Sequence, residues 1–102
     1  MATFGERIRE QRKRAGLTLE QLAEISESSK SYIWELENKN PPRPSAAKIS
    51  KIAKALDVTT DYLINDGEGL ESAQDAAFFR KYSSLSPSVK DKIRQFAKMM
   101  DE

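Results

Sequence analysis

With 102 residues, 17 basic and 16 acidic side chains and a net charge of +1, the chain is one domain, or one small domain with an appendage. Its overall charge exerts no pull toward nucleic acid. It contains neither cysteine nor histidine, so disulfides, thiolate metal sites, and the commonest general base and metal ligand are all excluded; no cofactor or metal is expected. No apolar run approaches membrane length and the N-terminus lacks the apolar core of a signal peptide, so a cytoplasmic chain without a membrane partner is expected.

Thr3 and Glu6 form a capping box that opens a helix, and Gly16, able to take a left-handed backbone, ends it. Phe4, Ile8 and Ala15 share one face of this helix, and Arg12 falls at its edge, where a half-buried guanidinium needs a carboxylate. Gln11 lies inside the apolar stripe without an evident reason. Thr18 and Gln21 form a second capping box, with Leu17 and Leu22 at the hydrophobic-staple positions and Leu22, Ala23 and Ile25 on the apolar side. Helical spacing stops at Ser26-Glu27-Ser28. Ser29 then caps a third helix whose buried stripe is Ile33 and Leu36. Two short helices about a polar turn make a helix-turn-helix, which other helices must brace. The outward face of the third helix carries Ser31, Trp34, Glu35 and Asn38, with Lys30 in the first turn and Tyr32 on a flank.

Pro41, Pro42 and Pro44 hold the next segment extended. Ser45 caps a helix that buries Ile49, Ile52, Ala53 and Leu56 and turns Lys48, Lys51 and Lys54 away. Thr59 caps a short closing helix with Val58 and Leu63 as its staple. Residues 66–69 form a polar break containing glycine, which divides the chain into a first domain at 1–66, a linker at 67–69 and a helical pair at 70–102. In that pair Ala73, Ala76, Ala77, Phe78, Phe79 and Tyr82 precede a Ser86-Pro87 helix start, after which Val89, Ile93, Phe96, Ala97 and Met100 fall on one side. Two such helices cannot bury both faces unaided, so they pack on the first domain or on a second copy, and the second copy is favoured.

Charge is unevenly distributed. Residues 1–16 hold Arg7, Arg9, Arg12, Lys13 and Arg14 against two acids, and residues 41–56 hold Arg43, Lys48, Lys51 and Lys54 against none. The intervening 17–40 carries five glutamates against Lys30 and Lys39. Each basic run alone reads as a solvated face; flanking a helix-turn-helix, both become candidate phosphate contacts.

The run TxEQLAxxxxxSxSYIxxLEN, with ALDVTTDYLIN beyond it, resembles the phage-repressor class of helix-turn-helix proteins, the lambda and 434 repressors and Cro, from about Phe4 to Asn65. The resemblance implies an all-α fold, a five-helix lambda-repressor-like DNA-binding domain plus a C-terminal two-helix extension. It implies that the helix at 29–38 enters the major groove of double-stranded DNA, with Lys30, Ser31 and Glu35 at base edges. Lysine donates to guanine, serine adapts, and a carboxylate accepts only from cytosine. Trp34 either meets a thymine methyl or sugar or covers a helix junction. Phosphate contacts are expected from Thr18, Ser29, Tyr32, Asn38, Lys39 and above all Arg43. Arg12 and Glu37 occupy the places of the family's structural ion pair.

Three departures stand out: Leu19 replaces a phosphate-clamping glutamine, Glu27 stands where the turn commonly has glycine, and Ser28 replaces a small apolar anchor. The turn is therefore expected to differ locally. The expected function is a sequence-specific transcriptional regulator, a repressor occupying an inverted repeat as a homodimer, with Phe78, Phe79, Tyr82, Val89, Ile93, Phe96 and Met100 at the dimer contact. The competing reading is an antitoxin-like or anti-regulator protein whose C-terminal helices bind a partner protein. An enzyme is not expected, since the carboxylates and lysines fall at exposed helical positions and no phosphate-cradling glycine loop is present.

Overall fold

The computed structural model describes residues 3–65 and 69–101, so most of the linker expected at 67–69 lies outside the described residues. Among the described residues seven helices follow one another: α1 Phe4–Arg14, α2 Leu19–Ile25, α3 Lys30–Asn38, α4 Ala46–Ala55, α5 Thr60–Ile64, α6 Leu70–Ser83 and α7 Pro87–Met100. No strand occurs among the described residues. Thr3, Thr18, Ser29, Ser45, Thr59 and Ser86 each cap a helix by accepting a backbone N–H with the side-chain oxygen. Those donors have no partner inside the helix, so a hydroxyl at that place fixes where the helix begins.

Three helix ends close in the same way. Gly16, Glu27 and Asp57 all have left-handed φ values, 73°, 57° and 56°. In each case the next residue's N–H returns to a carbonyl five positions back: Leu17 to Arg12, Ser28 to Ala23 and Val58 to Ala53. This is the Schellman arrangement, and it favours glycine at the left-handed position. Glu27 and Asp57 bear a Cβ there, at a cost of about 1 kcal/mol each, and place a carboxylate at the negative end of a helix dipole. Each is met by a lysine from another helix, Lys51 of α4 for Glu27 and Lys81 of α6 for Asp57. The turn with Glu27 thus keeps the left-handed backbone despite the missing glycine, and the local difference lies in the pairing.

The core joins α1 to α5: Ile8, Leu22, Ile33, Leu36, Ile52, Val58 and Leu63 are all buried. α1 packs on α3 and α5, α2 on α3 and α4, and α4 on α5. The N-terminus of α1 abuts the C-terminus of α3, bringing opposite dipole ends together. That contact needs Gly5, where a Cβ would stand 2.2 Å from the Leu36 carbonyl oxygen. Gln11 is buried and its amide donates to the Tyr62 hydroxyl at 3.4 Å, which accounts for a polar group in the α1 stripe. Two expected core positions are not core. Ala15 follows the end of α1 and is exposed, and Ile25 is 54% exposed at the end of α2, because each lies where its helix leaves the bundle.

α6 joins the core of the first five helices through Ala73. Ala73 is fully buried in the shared core, Ala77 is buried one turn later, and Lys81 reaches Asp57. Its large side chains face elsewhere: Phe78 and Phe79 are exposed, and Phe78 stacks on Tyr82 with ring centroids 6.2 Å apart. Lys90 and Arg94 of α7 approach the same Tyr82 ring at 5.5 and 5.6 Å. α7 itself buries no residue, and Val89, Phe96, Met99 and Met100 are exposed while Ile93 is half-buried. The first of the two expected packings therefore holds for α6 within one chain, and the apolar side of α7 stays open.

Candidate nucleic-acid interface

α3 is held by its inner face. Ile33 and Leu36 sink into the core, and Glu37 lies beside them with its side chain 2% exposed. A buried carboxylate must be paired and hydrogen-bonded. Arg12 supplies both: its Nε donates to Glu37 Oε2 at 2.7 Å and its Nη2 to Oε1 at 3.0 Å. Its Nη1 donates to the Leu17 carbonyl at 3.0 Å. One guanidinium so ties the end of α1, the α1–α2 loop and the end of α3 together.

The outer face of α3 is open. Lys30, Ser31, Trp34, Glu35 and Asn38 are all exposed, and Lys30, Ser31, Trp34 and Glu35 line one shallow groove. Trp34, 43% exposed, does not fill a helix junction. Its ring meets the Lys39 ammonium at 5.5 Å, and Asn38 Nδ2 donates to its carbonyl at 2.9 Å. Tyr32 packs half-buried against the core on the flank. Ser29 Oγ and Thr18 Oγ1 accept the cap hydrogen bonds of α3 and α2, which leaves each hydroxyl proton able to donate outward. Arg43 is exposed in the proline loop with its guanidinium 5.3 Å from the Phe4 ring, so the loop's cation stands at the start of α1, on a flank of α3.

The basic runs divide into two groups. Arg7 is buried and its Nη1 donates to the last carbonyls of α5, Tyr62 at 3.2 Å and Leu63 at 3.3 Å, with the Tyr62 ring 6.0 Å away. Lys48, expected to face away, donates instead to the Ser26 and Glu27 carbonyls at 2.9 and 2.8 Å. Lys51 pairs with the Glu27 carboxylate, and its hydrogen bond and charge hold that carboxyl below its ordinary pKa. Arg7, Arg12, Lys48 and Lys51 therefore brace the scaffold, because helix-end carbonyls and left-handed carboxylates need cations. Arg9, Lys13, Arg14, Lys39, Arg43 and Lys54 remain exposed.

Sequence reasoning missed Gly5, the Arg7 bracket and a partner for Lys30: Glu20 of α2 lies 3.2 Å from its ammonium. A glycine in the first turn of a helix was a readable signal for Gly5. The other two depend on helix placement and left no local trace.

A short helix anchored from inside, braced by a preceding helix and presenting a polar face, defines a helix-turn-helix domain. The chain belongs to the helix-turn-helix family HTH_3, which it matches over residues 8–63. The HTH-type transcriptional regulator SinR of Bacillus licheniformis is 34% identical over 68 residues, 67% of this chain and 61% of that protein, so the chain spans about three fifths of this relative's length. A crystal structure of SinR, described as the master regulator for biofilm formation, in complex with DNA is 33% identical. It matches with a TM-score of 0.59 over 62% of this chain and all of that one. A structure of a SinR protein/SinI protein complex covers 97% of this chain and 98% of its own, at 24% identity and a TM-score of 0.59, so the likeness of fold extends through α6 and α7. Among the described residues, no helix is long and apolar enough to cross a membrane.

Proposed function

We propose that this chain is a sequence-specific DNA-binding transcriptional regulator, a cytoplasmic repressor rather than an enzyme, and that it occupies an inverted repeat as a homodimer. The observation that carries the reading is the open outer face of α3, held rigidly by Arg12 and Glu37 from within. Similarity to a regulator whose structure was solved with DNA supports it. Lys30, Ser31, Trp34 and Glu35 meet base edges. Thr18, Ser29, Tyr32, Asn38, Lys39 and Arg43 contact the backbone. The division into 1–66, linker 67–69 and 70–102 is read as a DNA-binding unit followed by a dimerisation element.

Trp34 is the one tryptophan of the chain, so its fluorescence reports on α3 alone. Adding the duplex enriched from a random library should change its intensity or emission maximum at the concentration where binding saturates. DNA binding without any change at Trp34 would move the interface elsewhere. A second comparison separates the roles. Lys30→Ala with Ser31→Ala should relax base preference, each lost base contact being worth about 1–3 kcal/mol of discrimination. Arg43→Ala should weaken binding to operator and random duplexes alike. Equal effects of both changes on specific and random DNA would refute the assignment.

The exposed side of α7 also suits the competing reading, in which a different protein takes the place of the second copy. A discrete dimer of the purified chain favours the regulator; a monomer that captures one defined protein favours the alternative.

A further inference from the structure

The loop between α3 and α4 has little backbone freedom. Asn40 has a left-handed φ of 48°, and Pro41, Pro42 and Pro44 each fix their own φ. Arg43 precedes Pro44, which disfavours a helical backbone there. Pro41 and Pro44 are half-buried while Pro42 and Arg43 are exposed, so the loop is pinned on either side of its one charge. A stiff backbone fixes where the arginine begins, but its long stem still has many rotamers. Phe4 limits that freedom: the Arg43 guanidinium lies over its ring, 5.3 Å from the centre. Phe4 is itself held. It is the first residue of α1, half-buried and packed against the core, next to the Gly5 contact with the end of α3. The ring attracts the cation without taking its N–H groups as a carbonyl or carboxylate does. Among the described residues the Arg43 guanidinium makes no hydrogen bond and no ion pair. Arg7 and Arg12, by contrast, donate to helix-end and loop carbonyls and to Glu37.

We infer that Phe4 is a positioning residue for DNA binding: its ring holds the Arg43 guanidinium beside the joint of α1 and α3, with the N–H groups unspent for a phosphate. The inference rests on the reading of Arg43 as a backbone contact given above. The gain is preorganisation, since a side chain ordered beforehand loses less freedom when the phosphate arrives. It acts on affinity and leaves base preference alone, because a phosphate carries no sequence information. A planar, forked cation suits both tasks, lying over a ring and gripping two phosphate oxygens.

The experiment is a double-mutant cycle on the full chain with Phe4→Leu, Arg43→Ala and the two combined. Affinity is measured for a duplex enriched from a random library and for random duplex. Phe4→Leu keeps an apolar side chain against the core and removes the ring; Phe4→Tyr keeps the ring. Arg43→Ala should weaken both duplexes and flatten the dependence of log affinity on log salt by about 0.9, the mark of one lost phosphate contact. Phe4→Leu should weaken both duplexes equally, about two- to five-fold, the worth of an exposed cation–π contact. Its salt slope should stay unchanged, because the phosphate contact still forms. In the Arg43→Ala background that loss should vanish, and Phe4→Tyr should bind like the unaltered chain. Coupling is the readout, since any loosening of the fold by Phe4→Leu acts in both backgrounds and thermal melting records it separately. The inference is overturned if the two changes do not couple, if Phe4→Leu alters base preference, or if Phe4→Tyr binds as weakly as Phe4→Leu. A chain that enriches no sequence defeats the regulator reading itself and this inference with it, an outcome distinct from a cycle without coupling.

Discussion

Arg12→Ala is expected to destabilise the domain by about 3 kcal/mol, a large share of what a domain of this size possesses. The side chain removed carries a charge that Glu37 cannot lose without penalty. Glu37 is 2% exposed, and both of its carboxylate oxygens accept from Arg12. Without the guanidinium the carboxylate is a buried charge with its main partner gone, and the Leu17 carbonyl loses its donor as well. Replacing both Arg12 and Glu37 by apolar residues of similar volume should cost far less, because no orphaned charge remains. The check is a double-mutant cycle by urea denaturation. Single losses that simply add up in the double variant would mean that the pair is not coupled.

The second large effect is on assembly. Ile93→Lys combined with Phe96→Lys should convert a dimer into an 11.5 kDa monomer and lower operator affinity by about 10²-fold or more. Two half-sites bound by one dimer share a single cost of association; two monomers each bear it separately. Phe96 is 64% exposed and Ile93 half-buried, so charges at these places leave the monomer's core intact. Sedimentation and a binding titration on a two-half-site duplex give the two readouts. An unchanged mass would show that the apolar side of α7 is not the dimer contact. Truncation after Gly69 is a poorer test, because it also removes Ala73, which is fully buried among residues of the first five helices.

Much of this molecule was legible along the chain because its signals are local. A helix start needs a side-chain acceptor within three residues, so Thr3, Thr18, Ser29, Ser45, Thr59 and Ser86 marked six of the seven helices. The seventh, α6, begins at Gly69 without a side-chain cap. The inward stripe of α3 and its outward polar face follow from helical period alone. Long-range partners are another matter. That Arg7 caps α5, that Lys48 and Lys51 brace the helix-turn-helix turn, and that Gln11 serves Tyr62 are decided by which helix ends lie near which cations. Basic side chains look alike in sequence whether they await a phosphate or satisfy a carbonyl.

The chain by itself determined seven helices, the polar turn at residues 26–28 and the residues that α3 can show to a groove, since capping and periodicity act over three or four residues. Only the tertiary structure decided which cations remain available to a partner, that Glu20 stands beside Lys30, and that α6 joins the core through Ala73 while α7 keeps its apolar side open. Those outcomes depend on the packing angles between helices. These are set jointly by the whole core and by close approaches such as that of Gly5 to Leu36, and no single stretch encodes them.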